Sequence, residues 1–323
     1  MKKTTILFVC LLWLGSVGIY AQNEYFFDKT TYPYSVKGDQ TLYLDRYSSP
    51  LSVATDRTPC IIFMFGGAFA RGTRDMDKYI PYFDYMVRQG YTVISIDYRL
   101  GLKGVEQDKE LNEEGFVRRF IYSVDMAVED LFDATQYVLD HAEEWNIDPE
   151  AITINGSSAG AVTVLQAEHA ICNGTHHVAT KLPAGFNYVG VVAFAGAIFV
   201  PDGPLTWAKA PCPIMMFHGD ADLQVPYDKL TYGNMGFYGA KSISDGLAAL
   251  NYPYYFYKFD DYGHQIASDP IRENKEDVLW FLNTMVKEKK PYMIFREQKE
   301  IGRPVVPNKN FGIPDYVKGN FGI

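Results

Sequence analysis

Cysteine is scarce: the 323-residue chain has four, and one of them, Cys10, lies in an apolar leader. The remaining Cys60, Cys172 and Cys212 show no spacing that suits a metal site, and as an odd number in an oxidising compartment they leave room for one pair plus one buried thiol. Excess positive charge is missing too. The formal net charge of −9 argues against nucleic acid or an anionic membrane surface as a partner. Long apolar runs are confined to the start, where Lys2-Lys3 precede Ile6 to Val17 and Ala21 offers a small residue at a cleavage point before Gln22. That run is short for a bilayer span, so residues 1–21 are expected to be a signal peptide and the protein to be secreted or periplasmic. Internal repeats are absent. One large domain, residues 22–289, is the expectation, followed by a surface extension at 290–323 that is rich in Pro, Gly and Lys.

What the chain does have is apolar residues at 47% and aromatics at 15%, enough for a large core. Their arrangement alternates. Cys60-Ile-Ile-Phe-Met-Phe65, Tyr91 to Ile96, Ile152 to Asn155, Val189 to Phe194, Ile214 to Phe217 and Tyr254 to Phe259 are short continuous runs, as expected of strands covered on both faces. Helical periodicity separates them at Tyr79–Val87, Val128–Ala142 and, near the end, Val278–Val286. Thr41 to Tyr47 alternates as a half-solvated strand should. The pattern predicts an α/β fold with a mostly parallel central sheet and helices on both faces, in which Tyr254–Phe259 is the last strand. Residues 100–122 break the rhythm and read as an insertion above the sheet, with Phe116, Arg118, Arg119 and Phe120 as potential substrate contacts.

Gly156-Ser157-Ser158-Ala159-Gly160 lies between a predicted strand and a predicted helix. A G-x-S-x-G in that setting is a nucleophile elbow, which lifts the central hydroxyl clear of the sheet. Ser158 then needs a base, and the base an acid. Candidates emerge at carboxyl ends of strands: His218-Gly-Asp220-Ala-Asp222 after one, Asp261-Tyr-Gly-His264 after another. His218 competes with His264 for the base and Asp220 with Asp222 for the acid. His141, His169, His176 and His177 read as packing or surface residues.

With these motifs in hand, residues 40 to about 288 resemble the α/β-hydrolase fold, in its carboxylesterase and lipase-like branch, which includes bacterial feruloyl and acetylxylan esterases. The resemblance rests on Phe65-Gly66-Gly67-Ala68-Phe69, Ser95-Ile-Asp-Tyr98-Arg99, Asn146-Ile-Asp-Pro149, the elbow, His218 to Pro226, and Gly263-His264. It implies Ser158, Asp222 and His264 as catalytic residues, with the base after the final strand, and an oxyanion hole from N–H groups at Gly67, Ala68 and Ala159. Phe65 stands where the family usually has histidine and Ala68 where it has a third glycine; neither change removes a backbone donor. The resemblance further implies ester hydrolysis through an acyl-enzyme, without metal or organic cofactor, on a small-molecule or carbohydrate ester. An exported serine peptidase of the same fold and a non-catalytic binding protein are the alternatives. Phe69, Tyr98, Phe116–Phe120 and Tyr232–Tyr238 are the expected aromatic walls of a small acyl pocket. Cys172 ends the helix after the elbow and Cys212 starts a strand at the same sheet edge, so a disulfide between them is expected.

Overall fold

A computed structural model describes residues 25–51 and 57–322. The expected signal peptide lies outside the described residues. Strands β1 (Asp28–Lys37) and β2 (Gln40–Ser48) form an antiparallel hairpin, followed by β3 (Thr58–Met64), helix α1 (Ile80–Arg88), β4 (Thr92–Ile96) and the 28-residue α2 (Glu113–Asp140). Next come β5 (Ile147–Ser157), α3 (Ala159–Asn173), β6 (Gly190–Phe194), β7 (Ala197–Val200) and β8 (Ile214–Gly219). The chain then runs through β9 (Lys229–Tyr232), β10 (Met235–Gly239), α4 (Ala240–Ala249), β11 (Tyr254–Phe259), α5 (Asp269–Glu273), α6 (Lys275–Phe281), β12 (Met293–Gln298) and α7 (Ile313–Phe321).

Among the described residues nine strands make one sheet in the order β1-β2-β4-β3-β5-β6-β8-β11-β12, antiparallel at its β1-β2-β4 edge and parallel from there on. Every residue of β4, β6 and β8 is buried, the consequence of helical cover on both faces. Helices α2 and α3 pack together on one face, while α1, α5 and α6 lie on the other. On that second face Asn155 of β5 donates to the Tyr82 hydroxyl of α1 at 2.6 Å, and Gly190 of β6 faces Phe281 and Val286. β3 and β5 are neighbours, but the chain reaches β5 from β3 only after detouring through β4. Such a reversal of strand order opens a crevice at the carboxyl ends, where open α/β sheets hold ligands.

Three expectations are corrected. Tyr254–Phe259 is not the last strand: β12, inside the supposed surface extension, pairs in parallel with β11 along its whole length. The 100–122 segment is helical from Glu113, so Phe116 and Phe120 sit on the first turns of α2, capped by Asn112, whose side chain accepts the Gly115 N–H at 2.8 Å. Cys172 and Cys212 are free thiols. Both lie at Glu168 instead: the Cys172 thiol donates to its Oε1 at 3.4 Å, and the Cys212 backbone N–H to the same oxygen at 2.8 Å. A second, three-stranded antiparallel sheet, β7-β10-β9, stands beside the crevice and contains the Tyr232–Tyr238 segment.

Candidate active site

Ser158 joins β5 to α3 with φ 52° and ψ −118°, a backbone conformation that side-chain-bearing residues avoid at a cost of about 1–3 kcal/mol. Two glycines make the turn possible by close approach. A Cβ on Gly156 would stand 2.3 Å from the Gly160 carbonyl oxygen, and one on Gly160 would stand 2.2 Å from that of Met64. The Ser158 N–H is fixed by the Phe194 carbonyl at 2.8 Å. The tight turn therefore holds the hydroxyl at the carboxyl end of the sheet, at the mouth of α3.

Ser158 Oγ lies 2.7 Å from His264 Nε2, and His264 Nδ1 lies 2.8 Å from Asp222 Oδ2. A carboxylate only accepts, so Nδ1 carries the proton and Nε2 is free to accept from the serine. Asp222 is 1% exposed and its other oxygen accepts the N–H groups of Gln224 and Val225, at 2.7 and 3.1 Å. Burial pushes its carboxyl up, but the charge of His264 and hydrogen bonds from His218 and His264 outweigh burial and hold it well below the usual carboxylate range.

The competing residues are accounted for separately. His218 is wholly buried behind Asp222, its Nε2 at 3.3 Å from Oδ2, so it reaches the acid and not the serine. Asp220 points the other way, accepting the Asp261 N–H at 2.7 Å and ion-pairing with Lys309 at 2.8 Å. His141 stacks on Trp145, His169 meets the Thr206 carbonyl and His176 pairs with Asp125, none of them lining the Ser158 cleft.

After β3 the chain turns through Gly67, Ala68 and Phe69, the last two with φ of 55° and 56°. The Gly67 carbonyl accepts from Ala70 and Arg71, closing the turn. The N–H groups of Gly67, Ala68 and Ala159 engage no partner among the described residues; Ala159 opens α3, where the first N–H groups have no intrahelical acceptor. All three residues border the hydroxyl, Gly67 and Ala68 as cleft lining and Ala159 as the next residue in the chain.

Phe69 and Tyr98 do not wall this cleft. Each is 1% exposed: Tyr98 stacks on Phe65 and its hydroxyl donates to the Phe65 carbonyl at 2.8 Å, while Phe69 packs edge-on against Tyr98 and Phe120. They brace the loop from beneath. Phe116, Phe120 and the β9–β10 aromatics instead line a separate apolar cavity of about 60 Å³. The Ser158 cleft, about 280 Å³, has mixed walls: besides Ser158 and His264 it is bordered by the polar Arg71, Lys78, Gln224, Ser268 and Asn320 and by Gly72, Met76 and Ala267.

Arg71 and Asn320 were not singled out from sequence. Asn320 belongs to α7, which comes over the cleft from the far end of the chain. Its carbonyl accepts from Nη1 and Nη2 of Arg71 at 3.0 and 3.1 Å, and its side chain donates to the Gln224 carbonyl at 3.2 Å. The one available signal was the apolar pair Tyr316 and Phe321, which pack on Phe116.

A model of the carboxylesterase family matches residues 21–170. Fumonisin B1 esterase of Sphingopyxis macrogoltabida is 29% identical over 125 residues, 38% of this chain and 22% of that protein. Esterase B1 of Culex pipiens is 26% identical over 131 residues, 39% and 22% respectively. The chain thus spans about a fifth of the length of these curated relatives. Among solved structures, the propionate-bound thermophilic esterase of Thermogutta terrifontis superposes with a TM-score of 0.60 at 18% identity, covering 80% of this chain and 94% of that one. The chain has the α/β-hydrolase fold. Its likeness in sequence to carboxylesterases lies in residues 21–170, which carry β3, the Gly67 turn and the elbow.

Proposed function

We propose that the protein is a serine hydrolase of carboxylic esters that works through an acyl-enzyme, with Ser158, His264 and Asp222 as its catalytic residues. The observation that carries this reading is the unbroken series from Ser158 Oγ to His264 Nε2 and from His264 Nδ1 to Asp222 Oδ2, each link under 3 Å. His264 takes the serine proton as Oγ attacks the ester carbonyl, and Asp222 steadies the imidazolium so formed. The developing oxyanion is received by the free N–H groups of Ala159 and the Gly67-Ala68 turn, a contribution worth about 3–4 kcal/mol per donor in comparable hydrolases. His264 then protonates the leaving alcohol, and water repeats the sequence on the acyl-enzyme.

A cleft of about 280 Å³ suits a short acyl group, and the polar side chains among its walls offer hydrogen bonds to a hydroxyl-rich alcohol, so we propose short-chain or carbohydrate-linked esters as substrates. Acetyl release fits better than feruloyl release, since the aromatic side chains expected as walls are buried or turned to the other cavity. The apolar leader supports export, with residues 1–21 removed. No helix among the described residues is long and apolar enough to cross a membrane.

The test is Ser158→Ala on aryl acetates, set beside aminoacyl amides and acetylated xylo-oligosaccharide. Loss of ester turnover on the order of a millionfold, with unchanged folding, is expected. Near wild-type turnover in the variant would end the serine-hydrolase reading.

A further inference from the structure

The chain carries 39 acidic against 30 basic residues, yet among the described residues no carboxylate lines the Ser158 cleft, whereas two cations do. Arg71 and Lys78 are both exposed, and neither forms an ion pair among the described residues. Arg74 and Lys29, by contrast, are paired: Arg74 lies on Asp45 and Asp97, Lys29 on Asp45 and Asp75. Arg71 is held, but by a neutral partner. The Asn320 carbonyl in the last turn of α7 fixes one edge of its guanidinium, so the group is positioned without being neutralised. Lys78 lies with Nζ 4.8 Å from the centre of the Tyr79 ring, an aromatic face that orients the ammonium and leaves its donors available. On the far side of Arg71 a second depression adds a third cation, Lys103, with Glu106 as the only acid among its described lining residues, and neither makes an ion pair among the described residues.

An acidic protein repels anions at long range, so two uncompensated cations beside the nucleophile are a local inversion of the field. A positioned guanidinium with free donors matches a carboxylate geometrically as well as electrostatically. We propose that the cleft selects esters that carry a carboxylate on the alcohol or acyl part, which Arg71 and Lys78 hold while Ser158 attacks the ester carbonyl. This rests on the ester-hydrolase reading and adds the substrate class to it. The charge stays on the substrate throughout and takes no part in bond making; its place is in binding, so its loss should appear in KM before kcat.

The experiment compares 4-acetoxybenzoate with its neutral methyl ester, the same acyl group on leaving phenols that differ in charge. In the intact protein the ratio of kcat/KM, anionic over neutral, should exceed one and fall as salt is raised from low ionic strength to 0.5 M, as expected of partly exposed charges. Arg71→Gln should lower the ratio on the order of tenfold and Lys78→Gln several-fold, mainly through KM of the anionic ester, with Arg71→Lys recovering part of the loss. If Arg71 serves only to anchor α7, Arg71→Gln shifts both esters alike and the ratio stays put, which overturns the proposal. A ratio below one in the intact protein overturns it as well. Calorimetric binding of 4-hydroxybenzoate separates the two readings: Arg71-dependent binding by a protein that cleaves neither ester upholds the anion site while sinking ester hydrolysis. Rapid cleavage of the neutral ester with a ratio indifferent to both substitutions does the reverse.

Discussion

Asp220 and Asp222 stand two residues apart after the same strand and meet opposite surroundings. Asp222 faces inward to His264 and His218; Asp220 faces the C-terminal segment and Lys309. In an extended chain they would share a face; a turn after β8, in which the Asp222 N–H donates to the Gly219 carbonyl at 3.3 Å, sends them apart, and only the structure shows which way each points. Asp222→Asn is expected to lower kcat by roughly three to four orders of magnitude, because an amide at that point favours the wrong histidine tautomer. Asp220→Asn should cost stability and leave kcat within about tenfold, since its charge is met by Lys309 and Lys258 and not by His264. Steady-state kinetics and thermal melts of both variants check this, and the reverse ranking would reassign the acid. The same residue predicts an acid limb in stability. Its carboxyl is held below the unfolded range, so it stabilises the fold above the ordinary carboxylate pKa, and that contribution is lost as the pH falls below about 4. Urea midpoints measured from pH 6 to 3 should fall less steeply in Asp222→Asn than in the wild type; parallel curves would refute the linkage.

Elements differ in how plainly the sequence announces them. The buried strands β3, β4, β6 and β8 are continuous apolar runs between polar turns, and such runs have few other structural uses, so the α/β fold was legible from them. The elbow was legible for a different reason: the glycines at 156 and 160 mark contacts of 2.3 and 2.2 Å that a side chain would not survive. β12 was not legible. An edge strand needs no apolar face, and Met-Ile-Phe-Arg-Glu-Gln, largely exposed, carries the charges that edges commonly display. β9 and β10 were hidden likewise, by glycines that suggest a loop. Burial of Phe69 and Tyr98 could not be read either, because an aromatic beside an active-site loop serves equally as wall or as buttress. Helix α7, as long as α1, was hidden by Pro314 and Gly319 within it and by the Pro-, Gly- and Lys-rich stretch around it, and its seat can be tested. Gly319 lies where a Cβ would come within 2.9 Å of the Leu223 carbonyl and of Gln224 Cγ. Gly319→Val should therefore lift α7 from the cleft, lowering the melting temperature by roughly 2–8 °C for an overpacking cost of about 1–2 kcal/mol. It should also shift KM by releasing Asn320 from Arg71. Unchanged melting and KM would show that α7 does not hold this seat.

For the molecule as a whole, the last thirty-odd residues decide whether the site is supported from within the sheet alone or also from outside it. They form a brace: β12 covers the edge of β11, from which the chain runs on to His264, and the segment beyond it grips that connection at successive points. Val306 N–H donates to Asp261 Oδ1 at 3.0 Å, Lys309 pairs with Asp261 and Asp220 at 2.8 Å, and the Tyr262 hydroxyl donates to Glu300 at 2.9 Å. Arg303 lies over the Tyr262 ring at 3.4 Å. Ending the chain at Lys290 would leave β11 an uncovered edge and Asp220, 7% exposed, with Lys258 as its nearest remaining cation. Stranding a buried charge and opening an edge together are expected to cost at least about 3 kcal/mol and to promote association through β11. The truncated protein should melt earlier, scatter light on standing, and show a lower kcat, because the His264 loop loses its outer contacts while Ser158 and its glycines are untouched. Calorimetry, light scattering and ester kinetics on the same preparation make the comparison. A truncated chain with the melting temperature and kcat of the full one would show that the sheet positions His264 unaided and that residues 291–323 are only a covering.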